Sequence, residues 1–281
     1  MESPAATDRV PESLDDRFQF GQNCTRFLSV LSDDRIKHAE QVLKGFLRCD
    51  RLDGQTFLDV GSGSGLMSLA ARRLGAKVSS FDYDPHSVAC TTELRRRYFP
   101  NDVYWEVQQA SVLDCNFLAG IPPHDIVYSW GVLHHTGSMW EALGNVGPLV
   151  APGGKLYIAI YNDQGPASRR WRRFKKAYVA APRPIQPALA AGVVVRQWTL
   201  TALRDFMKLR PFHTWRNYGS RRGMSPWYDA VDWAGGYPFE VASPEEIFEF
   251  YRQRGFELFN LRTVGGGTGC NEFVFLRKDL T

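Results

Sequence analysis

Apolar positions along this chain follow two rhythms. Between Thr56 and Tyr161, short apolar runs alternate with stretches in which apolar residues recur every three or four positions. The runs predict strands over Thr56–Val60, Lys77–Phe81, Val103–Gln108, Asp125–Trp130 and Lys155–Tyr161. The spaced stretches predict helices over Leu66–Leu74, His86–Tyr98 and Ser138–Leu149. Such alternation implies a parallel sheet covered by helices on both faces. Residues 1–17 are polar and are expected to be disordered, whereas 17–48 have the amphipathic spacing of one or two helices. The alternation stops after Tyr161: residues 163–239 contain no clear strand, several prolines and a mixture of aromatic and basic side chains. It resumes at "SPEEIFEFYRQRG", where Ser243, Pro244 and Glu246 form the start of a capping box. Two closing strands, "FELFNLRTV" and "NEFVFLRK", have no room for a helix between them and are expected to pair as an antiparallel hairpin. The expected organisation is a helical cap over 1–51, a core built from 52–162 and 240–281, and an insertion over 163–239.

Composition adds little to this picture, but charge adds a good deal. The 281 residues are 44% hydrophobic and 23% charged, which is ordinary for a globular protein. Five scattered cysteines without metal or redox spacing, a polar acidic start and the absence of a long apolar run suggest a reduced cytoplasmic setting. The formal net charge of +4 conceals a division. Residues 165–222 hold fourteen Lys or Arg and a single acid, Asp205, a local +13 that leaves −9 for the remainder.

The densest chemical signal is "TFLDVGSGSGLMSLA", where Asp59 precedes glycines at 61, 63 and 65 between a strand and a helix. Glycines concentrated there serve unusual dihedrals or a ligand pressed against bare backbone. A phosphate loop would need GxxxxGK[ST], and the dinucleotide fingerprint GxGxxG would need glycine at 66, where Leu stands. Asp82 ends the second strand about twenty residues after the first glycine, which is where a carboxylate can accept both hydroxyls of a ribose. A helix cap or turn role is the plainer alternative for Asp82.

These residues resemble the class I S-adenosylmethionine-dependent methyltransferases. "FLDVGSGSG" is similar to their first motif and "SFDYDP" to their second. "DIVYSWGVLHH" and "LVAPGGKLYIAIYN" are similar to their fourth and fifth strands. The likeness covers 52–162 and 240–281 and lies nearest the small-molecule group that includes quinone-pathway O-methyltransferases. It implies an α/β, doubly wound, seven-stranded sheet whose last strand pair is antiparallel, with S-adenosyl-L-methionine as cofactor and no metal. It also implies site roles: Asp59, Gly61, Gly63 and Gly65 at the methionine end, Asp82 at the ribose, and Tyr83 on the adenine face. Ser111 and Val112 would lie at the adenine edge, and Trp130 beside the cofactor at the end of strand four. Many relatives carry an acid where Ser111 stands.

Methyl transfer is an in-line displacement, and a base is needed only where the nucleophile keeps its proton. His134 and His135 follow the fourth strand, and His134 is the expected substrate-facing base, with His135 equally suited to a helix-entry hydrogen bond. After strand five, Tyr161 and Asn162 are expected to face the acceptor. Asp163 could act as base, orient a histidine or cap the next helix. "FQFGQN", with Phe18 and Phe20, could fold over the cofactor or merely pack. The basic, aromatic insertion is expected first as a helical lid, with Arg172 and Arg173 selecting an anionic or polar acceptor. Peripheral membrane contact ranks second and nucleic acid third. The expected activity is methylation of a small molecule, at oxygen before nitrogen. Nitrogen or carboxyl methylation, a membrane-associated or RNA substrate, and a binding protein without turnover are the alternatives. Oligomeric state is left open.

Overall fold

A computed structural model describes residues 27–28, 31–208, 210–211, 213–216 and 226–278. The expectations for residues 1–17 and for "FQFGQN" lie outside the described residues. The chain forms two compact units, one containing the described residues up to Gly165 together with Glu240 onward, the other Pro166–Phe239.

The first unit is a seven-stranded sheet flanked by helices. In chain order it comprises α1 (Asp33–Leu47), β1 (Thr56–Val60), α2 (Leu66–Arg73), β2 (Lys77–Asp82), α3 (Pro85–Tyr98), β3 (Trp105–Gln109), α4 (Cys115–Ala119), β4 (His124–Trp130), α5 (Met139–Val146), β5 (Val150–Tyr161), α10 (Pro244–Arg252), β6 (Phe256–Arg262) and β7 (Cys270–Arg277). The strand order is β3-β2-β1-β4-β5-β7-β6. The first five strands are parallel, and β7 runs antiparallel to both of its neighbours. This is the doubly wound α/β fold expected from the alternation.

Side-chain alternation with a period of two feeds two apolar layers. Leu58, Val60, Val127, Leu156, Ile158, Phe273 and Phe275 pack in one layer with Leu143 of α5 and Ile247 of α10. Phe57, Ile126, Tyr128, Tyr157 and Val274 face the other, with Leu43 of α1 and Leu69 of α2. One polar contact pins the last three strands: Tyr157 donates its hydroxyl to Glu272 at 2.5 Å, and Arg262 pairs with the same carboxylate.

Two strands start more than one residue away from expectation. β3 begins at Trp105 rather than Val103, because Val103 and Tyr104 stand exposed ahead of the sheet. β5 begins at Val150, since "APGG" passes through as an irregularity opposite His124–Ile126 instead of ending the strand. The expected helix over 138–149 is shorter, running from Met139 to Val146. The capping box forms as expected, with Ser243 Oγ accepting from Glu246 N while Ser243 N donates to the Glu246 carboxylate.

The second unit is helical: α6 (Pro166–Ala180), α7 (Gln186–Met207), α8 (His213–Arg216) and α9 (Pro226–Gly235). Its small core joins Tyr178, Ala190, Val193, Ala230 and Ala234. Lys175 is buried within this unit. Its ammonium donates to the carbonyl of Trp233 and lies 4.0 Å and 4.8 Å from the ring centres of Trp233 and Phe239. Burial pushes the Lys175 pKa down to about 7.

Candidate active site

The site grows from the turn between β1 and α2. Gly61, Gly63 and Gly65 all hold positive φ, at 78°, 53° and 76°. Two of them are also sterically confined. A Cβ on Gly61 would come within 2.4 Å of Val132, and one on Gly65 within 2.8 Å of Thr91. At Gly63 a Cβ would meet nothing within 4 Å, so the turn opens outward at its middle glycine. The turn is anchored to β2. Gly61 N and Ser62 N donate to the Phe81 carbonyl, and Gly63 N donates to Asp82 at 2.8 Å.

Asp82 is half-buried at the end of β2, where each oxygen accepts one backbone N–H, from Gly63 and from Asp84. Burial raises its pKa to about 6 against the lowering effect of those N–H groups. Tyr83 follows with its ring partly exposed, and its carbonyl accepts from Gln109. Asp59 is placed differently. It is buried beneath the turn, where Ser68 Oγ donates to it at 2.5 Å; Ser68 in turn contacts Ser80, to which Trp105 Nε1 donates at 3.0 Å. Burial, reinforced by the charge on Asp82, raises the Asp59 pKa to about 7. Asp59 therefore braces the turn from below instead of lining its surface, a correction to its expected place at the methionine end.

After β3, Ser111 Oγ accepts from Leu113 N. The side chain of Val112 is buried in the core, and its carbonyl accepts from Asn145 at 3.0 Å. Trp130, at the end of β4, is exposed. Because Val132 rests on Gly61, the turn after β4 touches the glycine turn. The two histidines follow in a single 3₁₀ turn, Leu133–His135. His134 is 0% exposed, whereas His135 is partly exposed. The His134 ring centre lies 4.5 Å from that of His135 and 4.0 Å from that of Tyr161, and His135 meets Tyr161 edge-on at 5.4 Å. A substrate-facing His134 was expected; the structure buries His134 and leaves His135 as the member of the pair that reaches solvent.

One further expectation changes, at Asn162, and at Asp163 the structure takes up one of its three alternatives, the turn into the next helix. Asn162 is buried; its amide donates to the Gly267 carbonyl and its oxygen accepts from Asn271, tying β5 to the β6–β7 turn instead of facing an acceptor. Asp163 is exposed and accepts from Gly165 N at 2.8 Å, the geometry of a turn entering α6. Arg172 and Arg173 are exposed on α6 of the helical unit. Among the described residues no cluster of three or more His, Cys, Asp or Glu could hold a metal ion, and no helix is long and apolar enough to cross a membrane.

Sequence reasoning missed Ser68, Ser80, Thr91 and Glu240. Ser62 and Thr91 hydroxyls meet at 3.0 Å and pin the glycine turn to α3. Glu240 N donates to the His134 carbonyl, while its carboxylate accepts from Met139 N at the start of α5. Two adjacent serines inside the interior strand β2 were the available signal for the network under Asp59, since interior parallel strands run apolar.

A profile of the methyltransferase domain matches residues 25–233, about three quarters of the chain. The chain belongs to the methyltransferase-domain family. Its resemblance to the quinone-pathway O-methyltransferases extends to curated proteins, and S-adenosylmethionine is the cofactor that this resemblance implies. It is 27% identical over 158 residues to the ubiquinone biosynthesis O-methyltransferase of Bradyrhizobium sp. strain ORS 278, covering 55% of each chain. It is 35% identical over 79 residues to the ribosomal protein L11 methyltransferase of Enterobacter sp. strain 638, covering 25% of this chain and 27% of that one. The chain spans 27%, 36% and 42% of the length of three such relatives. The fold matches magnesium protoporphyrin IX methyltransferase from Synechocystis PCC 6803, with a TM-score of 0.52, 13% identity, and coverage of 86% of this chain and 83% of that one.

The residues present fit this cofactor. A carboxylate offers about four acceptor positions, so Asp82 retains capacity for two ribose hydroxyls beyond the N–H bonds it already accepts. Gly63 leaves bare backbone facing open space, as close approach of a ligand requires.

Proposed function

We propose that this protein transfers a methyl group from S-adenosylmethionine to a hydroxyl oxygen of a small molecule, with His135 as the base. The observation that carries the reading is the contact between the turn after β4 and the glycine turn through Val132 and Gly61, with His134 and His135 two and three positions after Val132. When bound, the cofactor supplies an electrophilic methyl group on a sulfonium. Asp82 would hold its ribose, Tyr83 would cover one face of its adenine, and the bare backbone at Gly63 would receive its tail. Ser111 and Val112 would border the adenine edge, and Trp130 would wall the approach. The acceptor hydroxyl gives its proton to a ring nitrogen of His135, which is partly exposed. His134 and Tyr161 hold that ring from two sides. Residues 163–239 act as a lid whose cations, Arg172 and Arg173 included, select an anionic or strongly polar acceptor.

Replacing His135 with Ala is expected to lower turnover about 100-fold at neutral pH, with recovery at high pH and unchanged cofactor affinity by calorimetry. Unchanged turnover would remove His135 as base and favour an acceptor that needs none, an amine or a carboxylate. A mass screen of products formed from labelled cofactor identifies the acceptor.

A further inference from the structure

The longest helix of the second unit is apolar on the wrong side. α7 buries Ala190 and Val193 against Tyr178, Ala230 and Ala234. Its other side stands in water, with Val195 66%, Leu203 54%, Phe206 70% and Met207 67% exposed. At about 100° per residue, Val195, Leu203 and Phe206 fall within an arc of about 80° that faces away from Ala190 and Val193. Ile185, exposed just before the helix, extends the same stripe, which follows an element about 33 Å long. Monomeric proteins rarely leave so large an apolar face uncovered.

We infer that this face of α7 lies on the surface of an anionic lipid bilayer, with the helix parallel to the membrane plane.

Three features select a bilayer as the occupant. The first is charge. Arg196 is exposed about 20° from the edge of the stripe, Arg183 and Arg210 are exposed just before and just after the helix, and residues 165–222 carry net +13. A second copy seated on this face would bring those cations against their own kind, whereas anionic headgroups complement them. The long basic side chains can bury their stems along the apolar edge and keep their charges at headgroup level.

The second feature is the treatment of polar atoms. Hydrocarbon demands that each polar group find its partner within the chain. Thr199 is the polar residue within the stripe, and its hydroxyl donates back to the Val195 carbonyl at 2.5 Å. A protein partner could satisfy such a hydroxyl itself; an acyl layer could not. The third is the one acid of the segment. Asp205 is buried, accepting from Thr214 N and Thr214 Oγ1 at 2.7 Å each, so its charge is spent within the unit and does not oppose an anionic surface.

The helix is too polar overall to span a bilayer, and none of the described helices meets that requirement. Its composition is instead that of a helix lying in the interface, with an apolar face on one side and cations along its margins. The inference stands apart from the methyl transfer proposed above, because it uses neither Asp82 nor His135, and within the helical unit it uses the outer face of α7, not Arg172 and Arg173 of α6.

The test is sedimentation of the full chain with vesicles of phosphatidylcholine alone and with vesicles containing phosphatidylglycerol. Wild type is expected to pellet with the anionic vesicles, weakly with the neutral ones, and less as salt rises. Phe206→Glu combined with Met207→Glu is expected to weaken pelleting by about tenfold or more, with circular dichroism and cofactor affinity unchanged. Arg183→Glu combined with Arg196→Glu is expected to weaken it by about fivefold to tenfold. Asp82→Ala, which lowers cofactor affinity, is expected to pellet like wild type, so a failure of the cofactor reading is told apart from a failure of this one. Wild type that stays in the supernatant overturns the inference, as does a Phe206/Met207 variant that pellets like wild type. Light scattering that shows a wild-type dimer made monomeric by the Phe206/Met207 variant also overturns it and assigns the face to a second copy.

Discussion

The two units solve burial in opposite senses. In the sheet unit, apolar side chains fill both layers, and the buried carboxylates at its working edge are hydrogen-bonded within the chain. In the helical unit a lysine is enclosed by aromatic rings while a phenylalanine and a methionine stand in solvent. A unit that hides a cation and displays hydrocarbon is arranged for an environment other than bulk water. The sheet unit closes its apolar layers on themselves, whereas the helical unit leaves the outer face of α7 uncovered, the face inferred above to meet a bilayer.

The steepest way to break the sheet unit is through its glycine turn. Gly61→Ala combines a left-handed φ with a Cβ overlapping Val132, and is expected to cost about 3 kcal/mol in urea unfolding. Gly63→Ala has the φ strain alone and should cost about 1 kcal/mol. If both cost the same, the contact between the two turns is not what holds the edge together.

Next in size is Asp82→Ala. Losing two charge-assisted bonds to a ribose is expected to weaken cofactor binding about 30-fold by calorimetry, while vesicle binding by the helical unit stays as it was. Movement of both properties together would mean that the units do not act independently.

In the helical unit, Lys175→Met is expected to stabilise by about 1–2 kcal/mol at pH 7, read as a higher midpoint in thermal unfolding. Met retains the length of the side chain and removes a charge that burial disfavours. Destabilisation instead would show that the Trp233 carbonyl and the ring faces outweigh desolvation.

The smallest effect, and the most diagnostic, is a pair of opposite pH slopes of about 1 kcal/mol each. Asp59 and Asp82 hold native pKa values of about 7 and about 6, above the usual carboxylate range. Between about pH 4 and 7 the folded sheet unit therefore binds more protons than the unfolded chain, and its stability falls as pH rises through that window. Lys175 has its native pKa depressed to about 7. Between about pH 7 and 10 the unfolded chain binds more protons, so the stability of the helical unit rises with pH. Hydrogen exchange followed separately in α2 and α6 reads the two slopes, and slopes of one sign would erase the distinction.

How much of this could be read in advance depended on how local the cause was. The five parallel strands, the hairpin and the capping box at Ser243 were legible because each follows from spacing within about ten residues. The glycines and Asp82 were legible as a constellation. The true start of β5 was not, since its first residues pair with His124 through an irregularity that Pro152 and Gly153 disguise. Nor was the burial of His134, which depends on Tyr161 from another strand, or the role of Glu240, which reaches Met139 across 101 residues of sequence. The exposed stripe of α7 was invisible for a different reason. An apolar run beside cations reads the same whether it faces inward or outward, and only the packing of Ala190 and Val193 decides which.

The position of β7 has a consequence for how the molecule is made. It is the last of the described strands in chain order, yet it lies between β5 and β6. Tyr157 waits for a partner 115 residues downstream, and β6 has no other neighbour in the sheet. Until residues 270–277 exist, β5 presents a raw edge of unpaired amides and carbonyls, the condition under which nascent chains join one another instead of themselves. A ribosome stalled after Arg262 would thus hold six of the seven strands of this sheet and an adhesive flank. The step that seals that flank joins residues far apart in sequence, and the entropy of closing so long a loop makes it slow.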